Sequence, residues 1–385
     1  MNVVGPRYAF EQRGALATRA VKIWDLPVRL FHWLLVASIA AAAVTGWLLP
    51  ASWLQLHLIA GTVIGCLILW RVVWGFTGTR YSRFRSFAFS PRATVAHLKN
   101  LIEGKVRREA GHNPLGALMV FALMGSISTI VLTGVAVLGG QFKQGPLKAF
   151  VSFAGAMTYR EIHSVVAIAL LVLVGGHLAG VIFESWRTRE NLAAAMVTGM
   201  KRGGFAHEAP MAQARSGLAV SVSVLLAVLL IPGAYALTSL PPFGVAALPK
   251  NAAWETECSS CHMAFHPSLL PANSWAAIMA GLSQHFGEDA SLDAAANKEI
   301  TDYLVNHSAE TWDSLAANRL CNVDPVRPLE ITATRFWMRL HQDISPAVFS
   351  GKAVGAKQNC SACHQDAASG MFAPQAISIP QEKTQ

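Results

Sequence analysis

Five apolar stretches dominate this 385-residue chain, near residues 30–49, 53–74, 115–138, 162–183 and 217–238. Each reaches the about 20 residues that an α-helix needs to cross the hydrocarbon of a bilayer. No water-soluble fold hides that much continuous apolar helix in a chain of this size. Composition agrees: 53% of residues are hydrophobic, only 14% are charged, and the mean hydropathy is +0.38. Trp24, Trp33, Trp47, Trp53, Trp70, Trp74 and Trp186 cluster near the ends of these stretches, as interfacial aromatics do. Ala40–Ala43 offers a small-residue cleavage site. The apolar run and the polar segment before it are long for a secretory signal, so the first stretch is expected to be a retained span.

Charge divides the chain. Residues 1–249 carry a net +14 and residues 250–385 a net −5. The basic half is also the apolar half, so its charge reads as membrane orientation and lipid contact, not nucleic-acid binding. Arg71, Arg80, Arg83, Arg85, Arg92, Lys99, Lys105, Arg107 and Arg108 lie between the second and third stretches, opposed only by Glu103 and Glu109. Arg7, Arg13, Arg19, Lys22 and Arg29 precede or open the first, and Arg187, Arg189, Lys201, Arg202 and Arg215 follow the fourth. The opposite connections are sparse: Pro50-Ala51-Ser52 has no charge, and the third carries only Lys143, Lys148 and Arg160 as basic residues. Five spans with the N-terminus inside therefore send the C-terminal half out of the cytoplasm.

That half changes character after Pro241-Pro242, becoming polar with short helical patterns over 273–286 and 293–307 and a less regular stretch over 308–334. It holds no β-rich run, and the tail from 373 to 385 is expected to be disordered. It also holds two copies of one pattern, Cys258-Ser-Ser-Cys261-His262 and Cys360-Ser-Ala-Cys363-His364. Cys-x-x-Cys-His is the attachment signature of c-type haem. Two thiols must reach two vinyl groups on one porphyrin edge, and the following residue must present imidazole to the iron. Pooling the four cysteines into one zinc site would leave both histidines without a role. The opposite face of each iron takes His or Met. His266, His285, His307, His341 and several methionines are available, with His285 and His341 favoured and His266 too close to the first motif to swing over. Cys66 is expected to be a small buried hydrophobe, and Cys321 a structural or free thiol.

Ionisable groups inside spans are expensive, so each marks function by default. His32 opens the first span, His57 the second and His163 the fourth, with His177 further along the fourth. Fourteen residues separate the last two, nearly four turns, which places them on one face about 21 Å apart. Alternating span direction brings His32 to the depth of His177 and His57 to that of His163. A lone intramembrane histidine ordinarily bonds to a neighbouring helix; four at matched depths predict two bis-histidine b haems in a bundle core. His112 opens the third span as a ligand or quinone-site residue, and Arg29 and Arg71 share its interfacial depth. His97 and His207 read as loop residues.

Val21-Lys-Ile-Trp-Asp-Leu-Pro-Val-Arg-Leu-Phe-His32-Trp33 resembles the opening of the bacterial cytochrome b561 and nickel-iron hydrogenase cytochrome b family. The likeness continues in His57, Arg71-Val-Val-Trp-Gly-Phe76, Gly111-His-Asn-Pro114, Arg189-Glu-Asn-Leu192 and Met196-Val-Thr198-Gly199, over roughly 21–202. It implies a four-helix bundle with two b haems on His32, His57, His163 and His177. Residues 254–372 resemble a periplasmic dihaem cytochrome c family, through Glu257-Cys-Ser-Ser-Cys-His-Met263, Leu270-Pro-Ala-Asn-Ser-Trp275, Met279-Ala-Gly-Leu282 and His285-Phe-Gly-Glu-Asp-Ala-Ser-Leu292. That family implies bis-histidine coordination, with His285 and His341 as distal ligands.

The expected protein is all-α. It has a cytoplasmic tail (1–20), a four-helix haem-binding transmembrane domain (21–202), a fifth transmembrane helix and linker acting as a tether (203–249) and a mostly helical dihaem cytochrome c domain (250–372). The resemblance implies a multi-pass protein of the bacterial inner membrane, its C-terminal domain periplasmic. Electrons would pass from quinol through two b haems and two covalent c haems to a soluble periplasmic acceptor such as a monohaem cytochrome c. The rivals are superoxide:quinone oxidoreduction, which some members of the four-helix family perform, service as the cytochrome b anchor of a larger dehydrogenase or hydrogenase, and gas binding or sensing at a five-coordinate haem.

Overall fold

A computed structural model of the protein describes residues 20–87, 90–103, 109–202 and 213–380. Expectations on the N-terminal tail, on Lys105, Arg107, Arg108 and His207, and on 381–385 fall outside them. The chain divides into two compact units, one of residues up to Gly134 with Glu161–Pro232, the other of Val135–Arg160 with Gly233 onward.

Five helices among the described residues are long and apolar enough to cross a membrane. They are α1 (Leu26–Trp47), α2 (Leu54–Thr77, extended N-terminally by a 3-10 turn from Ala51), α4 (Pro114–Gln141), α5 (Phe153–Thr188) and α7 (Ser216–Ser239). A shorter helix, α3 (Pro91–Ile102), lies between α2 and α4, and α6 (Leu192–Thr198) follows α5. The long helices are apolar all round, and Leu132, Val172 and Ile182 are each about 70% exposed. Such surfaces suit lipid. Cys66 shares this outward exposure, which corrects the expectation that it is buried: in a bilayer an apolar side chain gains nothing by facing inward.

α5 runs well beyond the expected 162–183, so His163 sits ten residues inside the helix instead of opening it. Arg160 and Glu161 are exposed and need no helix end to reach water. A two-stranded antiparallel ribbon was also not foreseen. It pairs β1 (Ala20–Lys22) with β2 (Met200–Arg202) and ties the entry of α1 to the exit of α6. Ile23 and Trp24 both donate to the Gly199 carbonyl, at 2.9 and 3.1 Å. Gly199 has φ +82° and its Cα lies against the Trp24 carbonyl, where a Cβ would collide.

Asp25 caps α1 by accepting from Val28 N at 2.8 Å, with Pro27 in the first turn. Its other oxygen collects Trp74 Nε1, Thr79 Oγ1 and Ser82 Oγ at 3.2, 2.6 and 2.6 Å. The start of α1 is thereby tied to the end of α2.

The second unit is built from short capped helices: α8 (Ala252–Cys258), α9 (Ala272–Ala280), α10 (Ala294–Asn306), α11 (Leu315–Leu320), α12 (Arg335–His341) and α13 (Pro346–Ser350). Asn251, Asp293, Ser314, Thr334 and Ser345 supply side-chain N-caps to all but α9, which explains why these short helices begin where they do. The core gathers Trp254, Leu270, Trp275, Ile278, Met279, Ile300 and Leu304. The expectation of disorder from 373 fails for the described part. Gln365 N donates to Ala376 O, Ser378 N donates to Cys363 O, and His364 bridges to Ile377. The second cysteine motif and the residue after it expose a backbone acceptor, Cys363 O, and a donor, Gln365 N, that this segment satisfies.

Candidate functional site

In the first unit, α2 and α5 turn His57 and His163 toward each other with ring centroids 6.2 Å apart. The two histidines are held by the same device. His57 Nδ1 lies 3.0 Å from the Ala42 carbonyl of α1 and 3.2 Å from Thr45 Oγ1. His163 Nδ1 lies 3.0 Å from the Ile130 carbonyl of α4 and 3.2 Å from Thr133 Oγ1. Each threonine hydroxyl donates to its own helix, to Ala41 O and Thr129 O at 2.7 Å. Its remaining lone pair is left for the imidazole. Gly46 and Gly134 follow the threonines, and a Cβ at either would press the histidine ring at 3.3 Å. An Nδ1–H bound to a carbonyl fixes the tautomer that leaves Nε2 free for a metal.

His32 and His177 lie within electrostatic range of each other in the same unit. Around this pair several buried nitrogens have no hydrogen-bond partner among the described residues: His32 Nδ1, Arg29 Nε, Arg71 Nη1 and His112 Nδ1. Arg71 is only 4% exposed, and its guanidinium covers the Phe84 ring at 4.8 Å. His112 is packed between Trp24 and Phe87, with centroids at 4.8 and 4.5 Å. Buried polar groups without partners call for a polar ligand.

In the second unit His262 faces His285 at 6.2 Å and His364 faces His341 at 6.1 Å. Each of the two favoured histidines thus lies opposite one motif histidine. His262 Nδ1 bonds the Met263 carbonyl and His341 Nδ1 the Trp337 carbonyl, both at 2.8 Å. Trp337 also stacks on His341 at 4.3 Å. Burial, with Glu257 adding to it, pushes the Cys258 thiol up to about 11, and burial does the same at Cys360.

Other histidines serve the fold. His266 is 2% exposed, caps a 3-10 turn through Ser268 and meets Trp312 edge-on at 4.6 Å. Burial pulls its imidazole down to about 4, with His307 contributing. Cys321 Sγ is near the Asn318 carbonyl at 3.5 Å, a structural contact.

The spacing of the three measured pairs is a test of what they hold. A metal–imidazole bond is about 2 Å, and the ring centre lies about 1 Å beyond the nitrogen, so two imidazoles on opposite sides of one ion have centroids about 6 Å apart. The pairs at 6.1 and 6.2 Å fit an iron ligated on both faces. Among the described residues no three or more His, Cys, Asp or Glu converge, so each pair could offer a metal two imidazoles. Thr133→Val is expected to lower the affinity for haem b about tenfold, the usual size of such outer-shell effects, without unfolding the bundle. Haem titration of the apoprotein followed by its b-type α-band measures this; an unchanged affinity would remove the threonine from the site.

Neither threonine was singled out from the sequence, though the paired Thr45-Gly46 and Thr133-Gly134 dipeptides were a readable signal. Residues 23–199 match the family described as Prokaryotic cytochrome b561, and residues 254–372 match Dihaem cytochrome c. A "Probable Ni/Fe-hydrogenase B-type cytochrome subunit" of Azotobacter vinelandii is 29% identical over 127 residues, 26% of this chain and 52% of that protein. This chain thus spans about half the length of that relative. A protein of the same description in Cupriavidus necator is 24% identical over 224 residues, covering 49% of this chain and 91% of its own length. The solved diheme cytochrome c from Rhodobacter sphaeroides is 42% identical, covers 33% of this chain and 100% of its own, and superposes with a TM-score of 0.28. Residues 23–199 therefore belong to the prokaryotic cytochrome b561 family and residues 254–372 to the dihaem cytochrome c family, so that one chain joins a membrane cytochrome b to a dihaem cytochrome c.

Proposed function

We propose that this protein carries electrons from quinol through two b haems and two c haems to a soluble periplasmic acceptor. His32 with His177, and His57 with His163, are the ligands of the b haems. His262 with His285, and His364 with His341, ligate haems attached to Cys258 and Cys261 and to Cys360 and Cys363. The observation that carries this reading is the presence in one chain of facing histidine pairs of near-equal spacing, both among membrane helices and beside Cys-x-x-Cys-His motifs. Haem supplies the one-electron chemistry; the chain supplies ligands, spacing and surroundings.

The partnerless nitrogens of Arg29, Arg71 and His112 suit the carbonyl oxygens of a quinone or the carboxylates of a haem near His32. The topology proposed with this function is N-terminus inside, five spans, and the c-type region in the periplasm. The relatives named as hydrogenase cytochrome subunits favour a second reading, in which a dehydrogenase delivers the electrons; stable co-purification with a metalloenzyme supports that one.

An anaerobic visible spectrum before and after adding a quinol tests the proposal. Reduction of both b and c α-bands is expected. A response confined to the b bands overturns the direction of flow. The net −5 of residues 250–385 further predicts an acceptor with a basic docking patch. Its association rate should fall steeply as salt is raised from about 10 to 500 mM, as the Debye length shrinks from about 30 Å to about 4 Å; a flat salt profile in stopped-flow would exclude electrostatic docking.

A further inference from the structure

The second unit joins stretches far apart in sequence, Val135–Arg160 and the chain from Gly233 onward. They meet at Asp313. Its carboxylate accepts from Lys143 Nζ at 2.6 Å and from Phe153 N at 2.8 Å. The Lys143 side chain is fully buried and that of Asp313 is 22% exposed. The Asp313 backbone N–H donates to Gly244 O at 2.8 Å, and Phe243 N donates to Lys148 O at 2.8 Å. Gly244 has φ +64°, and a Cβ there would overlap that of Asp313. Beside this junction, the Arg319 guanidinium covers the Phe153 ring at 5.3 Å and reaches Met157 Sδ at 3.4 Å.

Two features set the junction apart from ordinary surface packing. A lysine ammonium is withdrawn from water only when a counter-charge and hydrogen bonds compensate it. Lys143 also holds φ +54°, a left-handed conformation that a non-glycine residue keeps only where its surroundings enforce it. A c-type region hanging from α7 by a flexible linker would require neither.

We propose that Lys143 and Asp313 form a clamp that holds the c-type region on the connection between α4 and α5, as positioning residues for electron passage from the haem of His57 and His163 to the c haems. The passage itself rests on the function proposed above. Phe153, which supplies the second donor to the clamp, opens α5, the helix in which His163 follows ten residues later. On the other side α11 begins two residues after Asp313. Its Ala316 and Leu320 pack with Phe265 and Phe372, the ring neighbours of His262 and His364 at 5.0 and 5.1 Å. The clamp therefore sits at the root of a helix carrying one b-haem ligand and of the helix packed beneath both Cys-x-x-Cys-His histidines.

The test uses the full haem-loaded chain in nanodiscs. Asp313→Asn keeps the shape of the side chain but leaves the Lys143 ammonium without a counter-charge. Two quantities are read: amide hydrogen exchange over 142–153, and the rate of c-haem reduction after quinol is added. Exchange there should quicken by about tenfold or more, and c-haem reduction should slow by a similar factor as the docked population falls. Both b haems should be reduced at the wild-type rate, and intact c α-bands would show that the c-type region has folded. The double variant Lys143→Met/Asp313→Asn removes both charges and should restore most of the protection. Wild-type exchange in Asp313→Asn overturns the clamp. Lost protection with unchanged c-haem reduction overturns its positioning role. If the wild-type protein passes no electrons from quinol to the c haems, the proposed function fails, and the exchange data alone decide the clamp.

Discussion

His163→Ala is expected to remove one of two b haems while leaving both c haems in place, so that the b-to-c ratio in a pyridine haemochrome assay falls by half. The reason lies in the symmetry of the site. His57 and His163 face each other across 6.2 Å, and each is oriented by a carbonyl and a threonine hydroxyl from a neighbouring helix. With one imidazole gone, the iron loses a strong ligand and the remaining histidine has nothing opposite it. The proposed c haems would be held by thioether bonds in the second unit and would not depend on this pair. His177→Ala should have the same effect on the other b haem, and the two single variants should differ in which b-type α-band disappears. His112→Ala is the internal control. His112 is packed between the Trp24 and Phe87 rings and has no place in the proposed ligand pairs, so both b haems should persist. Loss of a b haem in His112→Ala, with retention in His163→Ala, would reassign the ligands. Quinol-driven reduction of the c haems should be abolished in His163→Ala, since the proposed route passes through that iron.

The facing histidines were legible because each announces itself locally. A histidine in an apolar span is costly wherever it occurs, and alternating span direction then pairs His32 with His177 and His57 with His163. The cysteine motifs are legible for the same reason, since five consecutive residues carry the whole attachment chemistry. The distal histidines were only half legible. His285 and His341 stood out, but which faces which motif depends on how α9 to α12 pack, and no local pattern encodes that. The least legible features join residues far apart in sequence. Asp313 reads as one more acidic residue on a polar domain, and Lys143 as a basic residue on a sparse loop; only folding brings them within 2.6 Å. The ribbon of Ala20–Lys22 with Met200–Arg202 escaped because three-residue strands have no periodicity to detect. The ends of α5 were misplaced because hydropathy locates lipid contact, whereas helical hydrogen bonding continues past the interface into water.

Asp25→Ala is expected to destabilise the first unit by about 3–5 kcal/mol, the range for removing one partner from a buried charged network. The carboxylate is 6% exposed and receives four donors, from Val28 N, Trp74 Nε1, Thr79 Oγ1 and Ser82 Oγ. Alanine leaves the Val28 and Trp74 donors with no acceptor, while Thr79 and Ser82 can still bond to each other at 2.9 Å. Asp25→Asn keeps an acceptor and a good N-cap, so it should lose only about 1–2 kcal/mol. The pH dependence separates the two effects. Burial by itself raises the Asp25 carboxyl, but the hydrogen bonds from Ser82, Thr79, Val28 and Trp74 together outweigh it and hold the group below the usual carboxylate range. A depressed folded-state value contributes stability above the ordinary value of 3.8, and that stability is lost as pH falls through the depressed one. Thermal melts should therefore show no Asp25 contribution to pH dependence between about 5 and 8, and an acid limb below about 4 that Asp25→Asn abolishes. The consequence for the site is selective. Asp25 is the N-cap of α1, and His32 lies seven residues further on, about 10 Å along the helix. Freeing that cap disturbs the His32–His177 pair before the His57–His163 pair, whose supports at Ala42, Thr45, Ile130 and Thr133 lie deeper in α1 and in α4. Asp25→Ala should accordingly release the haem of His32 and His177 at a lower temperature than its neighbour. Simultaneous loss of both b haems would mean that the knot at Asp25 supports the whole bundle and not the depth of His32.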